Sequence, residues 1–342
     1  MIDKHFTHYF SPFACCIPVR GVRRSLICDI QRGGMDFIPN ALYDLLTTDC
    51  KELTFTEILE KYEAEDQETI QEYFDFLIGK EYGFWCESKA EMALFPPIEM
   101  TWDAPVQITN AIIDVAAHST HDFADLFEQL ENLGCKDIQI RFFCEKDLSF
   151  LAEIGESLTD RRIKSSDIIW KYNTAILKNE YIHILQKYHR FSHITVHSSP
   201  FEQRISAELD ATTAVVFTKE IIQDSTHCGV IHPAYFVLNI ETFTEAQAHN
   251  TCLNRKLSID TNGDVCNCPT LPQRFGNVKE TSLQAALQKT GFTDTWHLHK
   301  DQIATCKDCE FRYICTDCRA FVAGKYDKPK KCGYNPYTAE WE

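Results

Sequence analysis

The segment CKDCEFRYICTDC, residues 306–318, decides how the C-terminal part of the chain must fold. Two Cys-x-x-Cys pairs, separated by five residues, put four thiols within reach of one metal centre. Cys252, Cys266, Cys268 and Cys332 lie around this segment, so residues 252–342 hold eight of the chain's 16 cysteines, which is two sets of four. Soft thiolates in sets of four select zinc or iron–sulfur clusters, and metal binding in such a segment is coupled to folding.

A hairpin is predicted just before this segment. The triplet NGD at residues 262–264 is a hairpin turn signal between Leu257–Asp260 and Val265–Cys268. On a strand, Cys266 and Cys268 would project from one face because side chains alternate. Pro269 follows Cys268 as proline follows a ligand cysteine in ferredoxin sequences. Zinc remains an alternative to iron–sulfur, because a four-cysteine zinc site uses the same ligands.

Composition restricts the classes of protein. With 44% hydrophobic and 12% aromatic residues, the 342-residue chain can bury real cores. The net charge of −16 argues against nucleic acid or an anionic membrane as the main partner, although the N-terminal region has a local basic group. Its members are Arg20, Arg23, Arg24 and Arg32.

The chain is expected to be cytoplasmic. Its start lacks the pattern of a signal peptide, and no apolar run approaches the roughly 18 residues that span a bilayer. Thiols stay reduced in the cytosol, so clustered cysteines indicate metal binding rather than disulfides. The cysteines without ligand-like spacing are expected to be plain buried thiols: Cys15, Cys16, Cys28, Cys50, Cys86, Cys135, Cys144 and Cys228.

Residues 1–95 are predicted to form a winged-helix domain. Three short apolar runs around a basic turn and a Gly33–Gly34 turn predict a three-stranded meander, followed by three helices and a closing strand. The strands are Ala14–Val19, Ser25–Ile30 and Met35–Ile38, the helices Pro39–Leu46, Thr54–Tyr62 and Asp66–Tyr82, and the closing strand Phe84–Cys86. Pro96–Pro97 marks the first domain boundary.

Residues 96–250 alternate strand and helix patterns, which predicts βαβ units and a parallel sheet. The run is too short for an eight-fold barrel of about 250 residues, so a partial barrel or open sheet is expected. The predicted strands are Ile108–Val115, Lys136–Phe143, Asp167–Tyr172, His193–His197, Ala214–Phe217 and Tyr235–Ile240. The predicted helices are Asp122–Leu133, Leu148–Leu158 and Asn179–His189. Residues 251–342 form the cysteine-rich third domain, with one helix expected within 277–290.

The C-terminal cysteines resemble those of the SPASM domain, the extension of radical-SAM peptide maturases that binds auxiliary 4Fe–4S clusters. The matching pattern is Cys252, ten residues, Gly263, four residues and Cys268, followed by Cys306, Cys309, Cys315, Cys318 and Cys332. The chain has two residues rather than three in the gap before Cys318. The resemblance implies that Cys252, Cys268 and Cys318 hold a first cluster and Cys306, Cys309, Cys315 and Cys332 a second. Cys266 is the candidate fourth ligand of the first cluster.

The radical-SAM motif itself is missing. Catalysis in that family needs Cys-x3-Cys-x2-Cys after the first barrel strand, but no cysteine lies between Cys86 and Cys135. After the second strand, Glu145 matches the family's Gly-Gly-Glu but both glycines are absent. We therefore expect a degenerate partial (β/α) barrel that does not use S-adenosylmethionine. His118 and His121 in the first loop are either a metal site or part of a polar loop.

This combination resembles the SPASM-type peptide maturases of grasp-with-spasm systems. The resemblance implies a role in maturing a ribosomally synthesised peptide, beside an ATP-grasp ligase. It also implies that residues 1–95 bind the leader of the precursor peptide as an added strand, at the edge Gly34–Ile38 and the helix Ile70–Ile78. The alternatives are a radical-SAM enzyme with a non-standard site and a structural zinc-binding scaffold.

Overall fold

The computed structural model describes residues 6–206 and 213–342. Its strands are β1 Tyr9–Pro12, β2 Cys16–Val19, β3 Ser25–Asp29, β4 Gly34–Ile38, β5 Gly83–Cys86, β6 Asn110–Val115, β7 Asp137–Phe142, β8 Ser165–Lys171, β9 Phe191–His197, β10 Gln203–Ser206, β11 Ala214–Phe217, β12 Lys256–Ile259, β13 Val265–Cys266, β14 Tyr334–Asn335 and β15 Glu340–Trp341. Its α-helices are α1 Asn40–Thr47, α2 Asp49–Glu52, α3 Phe55–Glu60, α4 Gln67–Gly79, α5 Lys89–Met92, α6 Phe123–Asn132, α7 Leu148–Leu158, α8 Lys178–Lys187, α9 Ile240–Glu245 and α10 Leu283–Leu287.

A large central sheet organises the molecule in the order β10-β11-β9-β8-β7-β6-β12-β13. The strands from β11 to β12 run parallel, and β10 and β13 pair antiparallel at the two ends. The strand–helix alternation predicted from the sequence is therefore present, with α6, α7 and α8 connecting parallel neighbours. The fold is mixed α/β, as predicted, and the partial-barrel description stays a prediction.

Helix α6 shows why these connections form where the sequence indicates. The Asp122 side chain accepts a hydrogen bond from the backbone N–H of Asp125 at 3.1 Å, which caps the first turn. Apolar residues at helical spacing then face the sheet: Phe123, Leu126, Phe127 and Leu130. Gly134 ends the connection with φ +83°, and a Cβ there would lie 2.6 Å from a Val106 methyl carbon. Glycine is thus required by both conformation and space.

The N-terminal region contains the predicted meander β2-β3-β4. A second, two-stranded sheet pairs β1 with β5, and β1 has no counterpart in the sequence prediction. Thr54 and Glu57 form the expected capping box at the start of α3. Phe10, Phe55, Phe74 and Trp85 form an aromatic core between these elements. The assignment of this region as a winged helix remains a prediction.

The predicted hairpin is present and extends the central sheet. Strand β12 runs parallel beside β6, and β13 returns antiparallel to β12. The first two strands of the cysteine-rich segment, residues 251–342, therefore belong to the same sheet as the strands of the α/β region. The helix expected within 277–290 is α10.

One predicted strand is wrong. Residues Tyr235–Ile240 do not pair in the sheet; a short 3-10 turn ends at Tyr235 and α9 begins at Ile240. The cause is local, since the Asn239 side chain accepts a hydrogen bond from the Thr242 N–H at 2.8 Å and caps α9. None of the helices in the described ranges has the length and apolar character needed to cross a membrane.

Candidate metal centres

The second predicted ligand set surrounds one cavity. Cys306, Cys309, Cys315 and Cys332 all line a space of about 370 Å³, part of which is open to solvent. The other walls include four aromatic residues, Phe236, Phe311, Tyr334 and Trp341, and three basic ones, Lys300, Arg312 and Lys328. Four sulfurs around a mostly apolar cavity are the donor set and environment that suit a cysteine-ligated iron–sulfur cluster.

Local backbone turns position these four cysteines around the cavity. The 3-10 turn Cys306–Asp308 follows Thr305 at φ +70°, and the Cys309 N–H donates to the Cys306 carbonyl at 3.0 Å. The Cys315 N–H donates to the Phe311 carbonyl at 3.0 Å. Cys332 lies near the C-terminal end of the sequence, and its backbone forms an isolated β-bridge with that of Ile231. The cavity is thus closed by segments distant in sequence.

A buried charged group lies beside the cavity. Lys300 is 5% exposed, and its ammonium lies 3.4 Å from a carboxylate oxygen of Asp317, which is 1% exposed. Arg319 forms a second ion pair with Asp317, at 2.9 Å. Burial opposes the charge on Lys300, but negative charge on Cys315, Asp317 and Cys306 raises the pKa of Lys300 above its usual value. Lys300 is placed to offset thiolate charge.

Burial keeps the thiols of Cys306, Cys309 and Cys315 protonated when no metal is bound. Burial raises the pKa of Cys315 to about 11, and it raises the pKa of Cys306 and Cys309 as well. Metal ligation requires thiolates, so binding a metal here releases protons.

The members of the first set lie near one another, beside the second set. Lys256 Nζ donates to Cys252 Sγ at 3.7 Å. Burial raises the pKa of the Cys252 thiol, and negative charge on Cys268 raises it further. Burial and negative charge on Cys252 likewise raise the pKa of the Cys318 thiol. Asn250, which is fully buried, accepts from the Cys252 N–H at 3.0 Å and donates to Asp317 at 3.0 Å. Asn250 and Asp317 therefore connect the two sets.

Cys266 lies in different surroundings from the other members of its predicted set. Strand β13 ends at Cys266, so strand alternation does not extend to Cys268, and the expectation that both thiols share one strand face is wrong. Cys266 is 0% exposed, and its thiol donates to the Ser258 carbonyl on β12 at 3.6 Å.

Cys228, which was predicted to be a plain buried thiol, lies near the first set. Its sulfur accepts from Arg141 Nη1 at 2.9 Å and lies 3.7 Å from His227 Nε2. A Cβ on the next residue, Gly229, would stand 2.7 Å from Cys318 Sγ. No spacing pattern could have identified Cys228, because the fold alone brings residues 225–229 to this place.

Polar side chains at the ends of β6 and β7 and in the loop after β6 are hydrogen-bonded. Arg141 forms a two-point ion pair with Asp114, at 2.6 and 2.8 Å, and both side chains are buried. His121 Nε2 lies 2.8 Å from the Asp114 carbonyl oxygen, and His118 Nε2 lies 3.1 Å from Asn262 Oδ1. Neither histidine belongs to a group of three potential metal ligands among the described residues.

A separate thiol group lies in the N-terminal region. The sulfurs of Cys15 and Cys16 are 4.0 Å apart, and with a carboxylate oxygen of Asp29 they fall within 4.8 Å of one another. Asp29 already accepts from the Arg32 side chain and from two backbone N–H groups. Its carboxylate is therefore used to hold the β3–β4 turn.

Residues 251–310 match the family model of SPASM, an iron–sulfur cluster-binding domain. The cysteine-rich segment is thus a SPASM iron–sulfur domain. The matched residues include five of the eight predicted ligands and end before Cys315, Cys318 and Cys332. No protein with curated annotation matches the chain.

Three solved structures are similar to the chain over most of its length. All are of SuiB from Streptococcus suis: bound to S-adenosylmethionine (12% identity, TM-score 0.39, 91% of this chain and 96% of SuiB), bound to its precursor peptide SuiA (10%, 0.40, 94% and 99%), and SuiB itself (10%, 0.31, 91% and 96%). At such identities and TM-scores the similarity does not extend to chemistry.

Proposed function

We propose that this protein takes part in the maturation of a ribosomally synthesised peptide, as a peptide-binding iron–sulfur maturase or accessory subunit. One contact carries the proposal. Phe311 lines the cavity of Cys306, Cys309, Cys315 and Cys332, and its ring packs edge-on against Phe37 of β4, with 5.8 Å between centroids. A cluster site and an open strand edge therefore share a wall.

The SPASM match of residues 251–310 supports iron–sulfur rather than zinc. Two 4Fe–4S clusters held by the C-terminal cysteines would supply sites for electron transfer or for holding the fold.

The β4 edge supports peptide binding. Strand β4 is the outer strand of the order β2-β3-β4, so one row of its backbone groups has no partner strand in the described sheet. Met35 and Phe37 expose 37% and 49% of their surface there. Asp36 pairs with Lys80 and accepts from the Tyr82 hydroxyl, which fixes β4 beside the end of α4. An extended leader added to β4 would lie between this edge and α4.

The region after β6 supports a role without radical chemistry of its own. The loop after β6 contains no cysteine. The ion pair of Asp114 with Arg141, together with His121, lies at the carboxyl ends of β6 and β7. We propose that a partner enzyme forms the bonds in the peptide. The resemblance to grasp-with-spasm maturases supports an ATP-grasp ligase as this partner.

Anaerobic purification followed by measurement of iron, acid-labile sulfide and zinc tests the proposal. We expect about eight irons and eight sulfides per chain, from two four-iron clusters, an absorbance band in the visible region, and no 5′-deoxyadenosine from S-adenosylmethionine under reducing conditions. Stoichiometric zinc in colourless protein would identify a zinc scaffold instead. Formation of 5′-deoxyadenosine would identify an active radical-SAM enzyme.

A further inference from the structure

Residues 225–229 form a turn that is held against both cysteine sets. Lys331, next to Cys332, donates from Nζ to the carbonyl oxygens of Thr226 at 2.5 Å and Cys228 at 2.7 Å. The Thr270 hydroxyl, two residues after Cys268, donates to the Ser225 carbonyl at 3.1 Å. The turn is therefore fixed by groups adjacent to one ligand of each set.

The same turn brings the residue after Cys228 against Cys318 of the first set. Gly229 has φ +86°, and its α-carbon approaches Cys318 so closely that a Cβ would be 2.7 Å from the sulfur. Glycine is required at this position to let the chain pass beside Cys318.

We propose that Cys228 is the fourth ligand of the first metal centre, with Cys252, Cys268 and Cys318, and that Cys266 is not a ligand. Only the identity of the metal group rests on the proposed function. The choice of Cys228 rather than Cys266 as the ligand rests on the positions of residues 225–229 and of β13.

The two cysteines have different hydrogen-bond partners. Cys228 accepts a hydrogen bond from the charged Arg141 guanidinium, which Asp114 holds in place, and a sulfur that carries ligand charge is stabilised by such a donor. Cys266 instead donates its own proton to the Ser258 carbonyl, within the β12–β13 pair. Its thiol has the role of a small buried residue with a weak donor.

With Cys228 as a ligand, the α/β region would contribute directly to the first metal centre. Cys228 precedes the matched SPASM residues 251–310, and its donor Arg141 is on β7. The α/β region, residues 96–250, would thus supply one ligand turn, and its strand β7 one ligand donor, to the first centre.

The test compares Cys228→Ala with Cys266→Ala in the full chain, with Cys135→Ala as a control thiol buried in the core around α6. Each variant is purified anaerobically and measured for total iron, zinc and sulfide, and by electron paramagnetic resonance before and after mild oxidation. We expect Cys228→Ala either to lose up to half of its iron or to give a three-iron cluster signal on oxidation, because three-cysteine ligation leaves one iron weakly held. Cys266→Ala and Cys135→Ala should match the wild type.

Wild-type behaviour of Cys228→Ala, or iron loss in Cys266→Ala alone, would overturn the assignment. Cys228→Ser provides a variant of nearly the same volume if the alanine variant does not fold, and circular dichroism checks the fold of each. A wild type that contains zinc and no iron would overturn the proposed metal group, while the ratio of zinc in Cys228→Ala to zinc in the wild type would still decide the ligand.

Discussion

Lys300 is a lysine enclosed by sulfur and carboxylate, and its charge is expected to stabilise the second centre. Replacing it by Met removes the positive charge and leaves Asp317 with one fewer partner. We expect Lys300→Met to lower the free energy of unfolding of the loaded protein by about 1–3 kcal/mol and to lower the cluster's reduction potential. Anaerobic denaturation and a redox titration measure these effects. Lys307→Met, at an exposed lysine of the same loop, should change neither quantity.

Arg141 and Asp114 form a buried pair whose halves depend on each other. Arg141→Met leaves the Asp114 carboxylate buried without its partner, which typically costs about 3–5 kcal/mol. The double variant Asp114→Asn, Arg141→Met should recover much of this loss, since no lone charge remains. Thermal unfolding of the three proteins measures the coupling; equal destabilisation by the single and double variants would contradict it.

Glu245 is predicted to make stability depend on pH. Burial raises the pKa of Glu245 from 4.5 to about 7, although Asn254 donates to it at 2.8 Å. The folded state thus holds a proton that the unfolded state releases, so the free energy of unfolding falls as pH rises from about 4.5 to 7. Glu245→Gln should remove this fall, worth up to about 3 kcal/mol. Denaturation curves at pH 5.5, 6.5 and 7.5 test it; parallel pH profiles for variant and wild type would contradict it.

Strand β4 is the element to which the peptide leader is assigned. Phe37→Asp places a charge beside the apolar edge, where it would have to be desolvated by an added strand. We expect at least a tenfold loss of affinity, about 1.4 kcal/mol, for a labelled leader peptide of the precursor that the proposed function requires, measured by fluorescence anisotropy. Leu177→Asp, at an exposed leucine before α8, is the matched control and should bind normally. Equal binding by both variants would remove β4 as the site.

Elements with strong local signals were predictable, and those formed by distant partners were not. The capping box at Thr54 and the NGD turn at residues 262–264 decide their structures from a few adjacent residues. By contrast, β1 is a strand because β5 pairs with it, across more than 70 residues of chain. The Tyr235–Ile240 error arose because an apolar run resembles a strand, while the Asn239 cap selects a helix.

The same distinction applies to the site. Spacing selected Cys306, Cys309 and Cys315 because local turns bring residues that are close in sequence to one place, and these three line one cavity. Spacing also suggested Cys266, since a continued strand would have aligned it with Cys268, but β13 ends between them. Cys228 has no local partner in sequence, and only the packing of residues 225–229 against Cys318 makes it visible.

At the scale of the molecule, metal removal should loosen more than the C-terminal segment. Cys315 and Phe311 belong to a core cluster that also contains Val19 and Leu26 of the N-terminal sheet. We expect chelation of the metal to lower the melting temperature and to expose residues 296–342 to limited proteolysis, because metal binding is coupled to folding. Calorimetry and mass spectrometry of the fragments test this; identical melting of the loaded and metal-free proteins would contradict it.

The turn between β2 and β3 is fitted against the cysteine segment. Gly21 has no room for a side chain, since a Cβ would lie 2.9 Å from Glu310 Cβ. Arg24 donates to the buried Glu310 carboxylate at 2.8 Å, and the Tyr334 hydroxyl donates to the same group. Glu310 follows Cys309 directly, so its position depends on the ligand loop.

Because Glu310 joins this turn to the ligand loop, we expect metal loading to influence the N-terminal sheet. If β4 binds the leader as proposed, a chain without its metals would hold that strand edge less rigidly and would bind the peptide less tightly. The precursor would then be recruited mainly by metal-loaded copies of the protein.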